Sequence, residues 1–260
     1  KWDGVKRIKA KFCPRFTKFK DELGNRIPPN QYADKSAQYL SNVQWAPTAD
    51  PKPPKVNPTV FAKNKGKIKA EPFHRLELDF VLHKAKKGKT PGPLKDIMEL
   101  YVWLQSDNRN TLLSDINGIF SDTDLEDALT KAKVASIYKK GDSAQLANYR
   151  PISLLQSAYK IIASLVKERL DAGIDDWISE TQYGFRRSKS TAQAVFLARR
   201  ILDLADKEGS NLSMILLDWE KAFDKVDHSK LMEALKRLNI PDELLHIIAL
   251  LYKDPKFMVV

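Results

Sequence analysis

The sequence predicts a helix-rich α/β (α+β) fold, and three observations carry that reading. Apolar residues recur at helical spacing in several separate stretches, and short β-branched runs bounded by turn residues fall between them. In addition, 43% of the 260 residues are hydrophobic, enough to bury a substantial core as one large domain or two modest ones.

Residues 1–70 are expected to form a basic, proline-rich extension. Pro28, Pro29, Pro47, Pro51, Pro53, Pro54 and Pro58 interrupt regular structure, and Lys63, Lys65, Lys67 and Lys69 repel one another. The aromatics Trp2, Phe12, Phe16, Phe19, Tyr39 and Trp45 are interleaved there, and docking on the domain is the preferred reading over stacking on bases. Residues 71–131 form a helical region, with one helix over 73–86 and helical apolar spacing over 94–105 and 111–120. The loop Lys86–Pro93 between them lacks the spacing of a phosphate-binding P-loop.

Residues 132–210 mix strand and helix. Val134–Tyr138 reads as a strand that ends in the turn Lys139–Asp142, and Tyr149–Ile152 is a second extended piece. A helix follows from about Leu154 to Leu170. Another opens at Ser190, where Gln193 completes a capping box, and stops at Gly209; its expected core face is Ala194, Leu197, Ala198, Ile201, Leu204 and Ala205. Residues 211–260 begin with Leu212–Leu217, apolar on both faces and of strand length, hence a central, buried strand that delivers Asp218 at its end. Two amphipathic helices are expected over 228–238 and 241–252.

The formal net charge is +11 and the isoelectric point about 9.5, which points to a polyanionic partner. The excess sits early: residues 1–70 hold 16 Lys and Arg against 5 Asp and Glu, while residues 71–260 hold 28 of each. Cys13 is the only cysteine, so neither an intramolecular disulfide nor a cysteine-based metal site is available. His74, His83, His228 and His246 show no metal-ligand spacing, and no apolar run approaches the length of a membrane span. The chain starts with Lys1 and ends in apolar Phe257–Val260, so both ends read as cut points within something longer.

The segment Leu216–Asp224 (Leu-Leu-Asp-Trp-Glu-Lys-Ala-Phe-Asp) is the most informative in the chain. A carboxylate at a strand's end is held on a rigid element, as a divalent cation requires, although an aspartate there also caps turns. Three more stretches accompany it: Ile137–Asp142, Asn148–Leu155 with Lys160, and Gln182–Arg186 with Ser190 and Thr191. In this order and spacing, residues 134–255 resemble the fingers and first palm blocks of the reverse transcriptases of non-LTR (long interspersed element-type) retrotransposons. Leu94 stands where that family often has Asp after Pro-Gly-Pro.

The resemblance implies right-hand polymerase fingers over 132–210 and the start of a palm over 211–260, with an RNA template, a DNA primer and dNTPs as partners. Asp218 would be the catalytic metal-binding aspartate, joined by the backbone carbonyl of Trp219, with two Mg²⁺ ions in the complete enzyme. Phe223 would pack under the incoming sugar, while Arg150 and Lys139 would hold its triphosphate, with Lys140 competing for the place of Lys139. Lys140, Gln182, Gly184 and Arg186 would contact nucleic acid. Later palm blocks and the thumb are absent from these residues, so strand 212–218 is expected to lack sheet partners and leave an apolar face exposed. By the same resemblance the protein would work in the nucleus or cytoplasm. A second reading is a nucleic-acid-binding module without catalysis.

Overall fold

The computed structural model describes residues 19–21, 23–46, 68–219 and 221–259. Within them the chain forms helices α1 (Tyr32–Tyr39), α2 (Arg75–Lys84), α3 (Met98–Val102), α4 (Ser106–Gly118), α5 (Asp127–Thr130), α6 (Ser157–Ile174), α7 (Thr191–Glu208), α8 (His228–Arg237) and α9 (Asp242–Tyr252). Strands are β1 (Ala132–Tyr138), β2 (Tyr149–Leu154) and β3 (Phe257–Val259). No helix among the described residues is long and apolar enough to cross a membrane.

The sheet runs β2–β1–β3. β1 and β2 form an antiparallel hairpin with Ile137 opposite Arg150 and Tyr138 opposite Tyr149. β3 pairs with β1 in parallel, Val134 facing Val259, so the apolar end of the chain closes the sheet.

Helix α6 is the centre of the core. Ile161, Ile162, Leu165 and Val166 are buried along one stripe, against Leu78, Val81 and Leu82 of α2 and Leu244, Ile247 and Ile248 of α9. Such a stripe at 3.6-residue spacing is what stabilises a helix in tertiary contact. One cation lies inside it. The Arg169 side chain is only 3% exposed; its Nε donates to Glu77 Oε1 at 2.7 Å and a terminal nitrogen to Glu77 Oε2 at 2.8 Å. The same guanidinium donates to the carbonyls of Lys69, Glu71 and Pro72 and lies 4.4 Å from the Phe73 ring centre. A buried charge is tolerated only when paired and hydrogen-bonded throughout, and this one is.

Three expectations change. Part of the proline-rich extension is helical: Pro29–Gln31 is a 3₁₀ turn, α1 follows, and Leu40–Gln44 is a π-helical turn. Pro28 and Pro29 sit at the start of this run, where a missing N–H breaks no helical bond. Phe19 packs edge-on against Tyr32 and Tyr149, and Trp45 against Phe257, so these aromatics are docked. Trp2, Phe12, Phe16, Cys13 and Lys63–Lys67 lie outside the described residues.

Second, Leu212–Leu217 is not a buried strand. It is irregular, with Ile215 82%, Leu216 86% and Leu217 88% exposed. A strand exists through hydrogen bonds to a neighbour, and no described strand runs beside this one. Third, α7 forms between the expected caps but buries none of its residues. The Ser190 N–H donates to Gln193 Oε1 at 2.8 Å, and Gly209 takes the left-handed conformation (φ 63°) that ends the helix. Its apolar stripe is left open: Leu197, Ile201 and Leu204 remain 40–56% exposed.

Candidate active site

The β1–β2 hairpin presents the expected triphosphate cations on a braced turn. The Lys139 N–H donates to the Asn148 carbonyl at 2.8 Å, and the Tyr138 hydroxyl to the Gly141 carbonyl at 2.7 Å. Gly141 has φ 91°, and a Cβ there would come within 3.0 Å of the Asn148 amide, so only glycine fits. Asn148 Nδ2 in turn donates to the Asp142 carbonyl, at 2.8 Å. Lys139 follows β1 directly, and its hydrogen bond to Asn148 continues the hairpin register by one position, which puts it on the side of Ile137, whose cross-strand partner is Arg150. Lys139, Lys140 and Arg150 are exposed, and none pairs with a carboxylate among the described residues. Two cations thus share one face with their charges available to an anion.

The turn Gln182–Arg186 is organised differently. Arg186 points inward: Nε donates to Asp175 Oδ1 at 2.8 Å, one terminal nitrogen to Asp175 Oδ2 at 3.0 Å, and the other to the Ser179 carbonyl at 2.8 Å. The hydrogen bonds from Arg186, with its charge, hold the Asp175 carboxyl below the usual carboxylate range against the opposing effect of burial. With its side chain 9% exposed, Arg186 braces the turn. Gln182 Nε2 donates to the Gly184 carbonyl at 3.3 Å, leaving both residues exposed at the tip. What the turn projects is Phe185, 91% exposed with φ 60°, whose ring stands edge-on to Phe223 at 5.8 Å and 90°. Two blocks 38 positions apart therefore meet through an aromatic pair.

Asp218 and Trp219 are exposed at the end of the irregular 210–219 segment, and the Asp218 carboxylate has no partner among the described residues. Asp224, by contrast, accepts from Trp45 Nε1 at 3.0 Å and from Gln44 Nε2 at 3.2 Å. Among the described residues no group of three or more His, Cys, Asp or Glu side chains could hold a metal ion. Asp218 is a hard oxygen donor of the kind Mg²⁺ prefers, but a single carboxylate does not make a site for two ions. The described donors therefore do not fit a two-metal centre by themselves.

Two residues outside the sequence motifs of the site shape this region. Trp45 reaches the Asp218–Asp224 block from far upstream. Asp96 Oδ2 accepts the Ser157 N–H at 2.7 Å at the start of α6. Neither contact has a local signature.

The family described as reverse transcriptase (RNA-dependent DNA polymerase) matches residues 137–258. The chain is 27% identical over 206 residues to the Transposon TX1 uncharacterized 149 kDa protein of Xenopus laevis, 78% of this chain and 15% of that protein. It is 33% identical over 133 residues to the probable RNA-directed DNA polymerase from transposon BS of Drosophila melanogaster, 49% of this chain and 14% of that protein. Over 113 residues it is 27% identical to the retrovirus-related Pol polyprotein from type-1 retrotransposable element R2 of Popillia japonica, 44% of this chain and 16% of that protein. The chain thus spans about 15% of the length of these relatives, and the resemblance carried by its motifs is met by independent comparison.

Proposed function

We propose that the chain, whose residues 137–258 match the reverse transcriptase family, is the nucleotide- and template-handling part of an RNA-directed DNA polymerase. The observation that carries the reading is the exposed pair Lys139 and Arg150 on one face of the β1–β2 hairpin. A planar, permanently charged guanidinium beside a lysine ammonium is suited to a triphosphate, and both act as the leaving pyrophosphate gains charge. Phe223, which stands edge-on to Phe185, is proposed to pack against the nucleotide sugar. Lys140, Gln182 and Gly184 are proposed to touch nucleic acid, whereas Arg186 serves by shaping their turn.

Asp218, with the Trp219 carbonyl, is proposed to give one carboxylate to Mg²⁺, which when bound neutralises phosphate charge. The other ligands, together with the rest of the palm and the thumb, are assigned to sequence beyond these residues, in keeping with the small share of each relative that the chain spans. RNA template, DNA primer and dNTPs are the proposed partners.

The test is primer extension on an RNA template with dNTPs and Mg²⁺. These 260 residues alone are expected not to extend a primer. In the longer protein Asp218→Asn is expected to lower extension by on the order of 100- to 1,000-fold, as loss of a group that stabilises transition-state charge does. Undiminished extension by Asp218→Asn would reject the assignment.

A further inference from the structure

A groove of about 640 Å³ lies away from the hairpin, between the end of α2, the loop Lys86–Pro91 and the first three turns of α6. Its floor is apolar, formed by Val81, Met98 and Ile161. Its rim carries five lysines (Lys84, Lys86, Lys89, Lys160 and Lys167) and one carboxylate, Glu168. Two of the lysines are occupied: Lys84 pairs with Glu168 at 3.6 Å, and Lys167 with Asp171 at 2.5 Å. Lys86, Lys89 and Lys160 have no carboxylate partner among the described residues, and they stand on both sides of the groove, two on the loop and one on the helix.

The loop is a built element. Gly88 adopts φ 66° and gives its N–H to the Glu99 carboxylate at 2.5 Å. A Cβ on Gly92 would lie 2.7 Å from the Leu155 carbonyl carbon and 2.8 Å from the Gln156 nitrogen, so the loop is seated directly on the chain leading into α6. Like charges repel, and holding Lys86 and Lys89 opposite Lys160 costs free energy that an anion between them would offset. The end of α6 does not supply the site, because the Ser157 N–H is committed to Asp96. The lysines do.

We propose that this groove binds phosphodiesters of a nucleic-acid strand, as a second contact separate from the triphosphate cations of the hairpin. Lysines are mobile point charges that suit a strand's backbone track better than the fixed geometry of one small anion. The apolar floor is suited to the sugar edge of the strand. Arg150 precedes Ser157 by seven residues of largely extended chain, about 20 Å, a distance that a strand of a few nucleotides bridges. The inference rests on the polymerase reading in taking the strand to be part of template or primer.

The test uses the whole 260-residue chain, a fluorescein-labelled 20-nucleotide RNA and anisotropy titrations from 50 to 300 mM salt. The variant Lys86→Gln/Lys89→Gln/Lys160→Gln is compared with Lys131→Gln/Lys207→Gln/Lys236→Gln, which removes equal charge elsewhere. The groove variant is expected to bind about 10- to 100-fold more weakly at physiological salt and to lose about 2 from the salt slope, at roughly 0.7 per phosphate on a single strand. The control should change less than threefold. Equal weakening of both variants, or of neither, overturns the proposal while binding by the unaltered chain leaves the polymerase reading standing. No binding by the unaltered chain removes both. A groove variant that loses dATP affinity and keeps RNA affinity also overturns it, since the site would then be for a free triphosphate.

Discussion

The indole nitrogen of Trp45 donates to Asp224 Oδ1 at 3.0 Å, which fastens the end of the π-helical turn to the segment after Asp218. With Gln44 on the other carboxylate oxygen, Asp224 is the principal described anchor of a loop whose neighbours are exposed. Trp45→Phe keeps most of the packing on Phe257 and removes the donor. It should raise amide hydrogen exchange across residues 221–226 about 10- to 100-fold, in line with about 1.5–3 kcal/mol for one hydrogen bond to a charged group. Unchanged exchange there would mean that the contact restrains nothing.

Removing the buried cation should be severe. Arg169→Met leaves Glu77 facing the core without its partner and frees three carbonyls, a loss of about 3–5 kcal/mol. Chemical denaturation of the variant against the parent chain measures it.

The same pair sets a pH dependence. Burial raises the Glu77 carboxyl, but hydrogen bonds from Arg169 and the His74 N–H, with the charge of Arg169, outweigh it and hold it below its ordinary value. A carboxyl with a lowered folded pKa contributes stability that is present above its unfolded pKa, about 4.3, and lost as pH falls through the folded value. Melting temperatures should therefore drop below about pH 4, and Glu77→Gln should show a shallower drop over that range.

Arg150→Ala should act on nucleotide use without disturbing the fold, since the side chain is exposed and unpaired among the described residues. On the proposed reading, the KM of the full polymerase for dNTP is expected to rise about 10- to 100-fold, the worth of charge-assisted hydrogen bonds. An unaltered KM would move the triphosphate site elsewhere.

The unpartnered segment predicts self-association. Ile215, Leu216, Leu217, Trp219 and Phe223 form a run of large side chains 77–88% exposed. Light scattering of the 260-residue chain should show concentration-dependent assembly, and Leu216→Lys/Leu217→Glu should reduce it. Monodisperse behaviour of the unaltered chain at high concentration would contradict this.

What could be read from the sequence was local. The helix between Ser190 and Gly209 is announced by its own caps, and the two extended pieces by their β-rich runs and the turn after the first, so these formed where expected, while their pairing as a hairpin came from the structure. Leu212–Leu217 has strand composition, but strand formation depends on a neighbour that composition cannot reveal. Pro28 and Pro29 read as breakers because the same residue that disrupts a helix interior suits its first turn. Within the site, Lys139 and Arg150 share a face through strand register, which motif spacing only suggests. The roles of Arg186, Trp45 and Asp96 depend on partners 11 to 179 positions distant and have no sequence signal.

The seating of α9 on α6 has a consequence for synthesis. The last helix to cover the α6 stripe ends at Tyr252, while α6 itself ends at Ile174. A ribosome adding about 5–20 residues per second needs roughly 4–16 s to make the intervening stretch. For that interval Leu165, Val166 and their neighbours have α2 beside them but lack the cover of α9, and a nascent chain of this kind would be a natural client for chaperones that shield apolar helices.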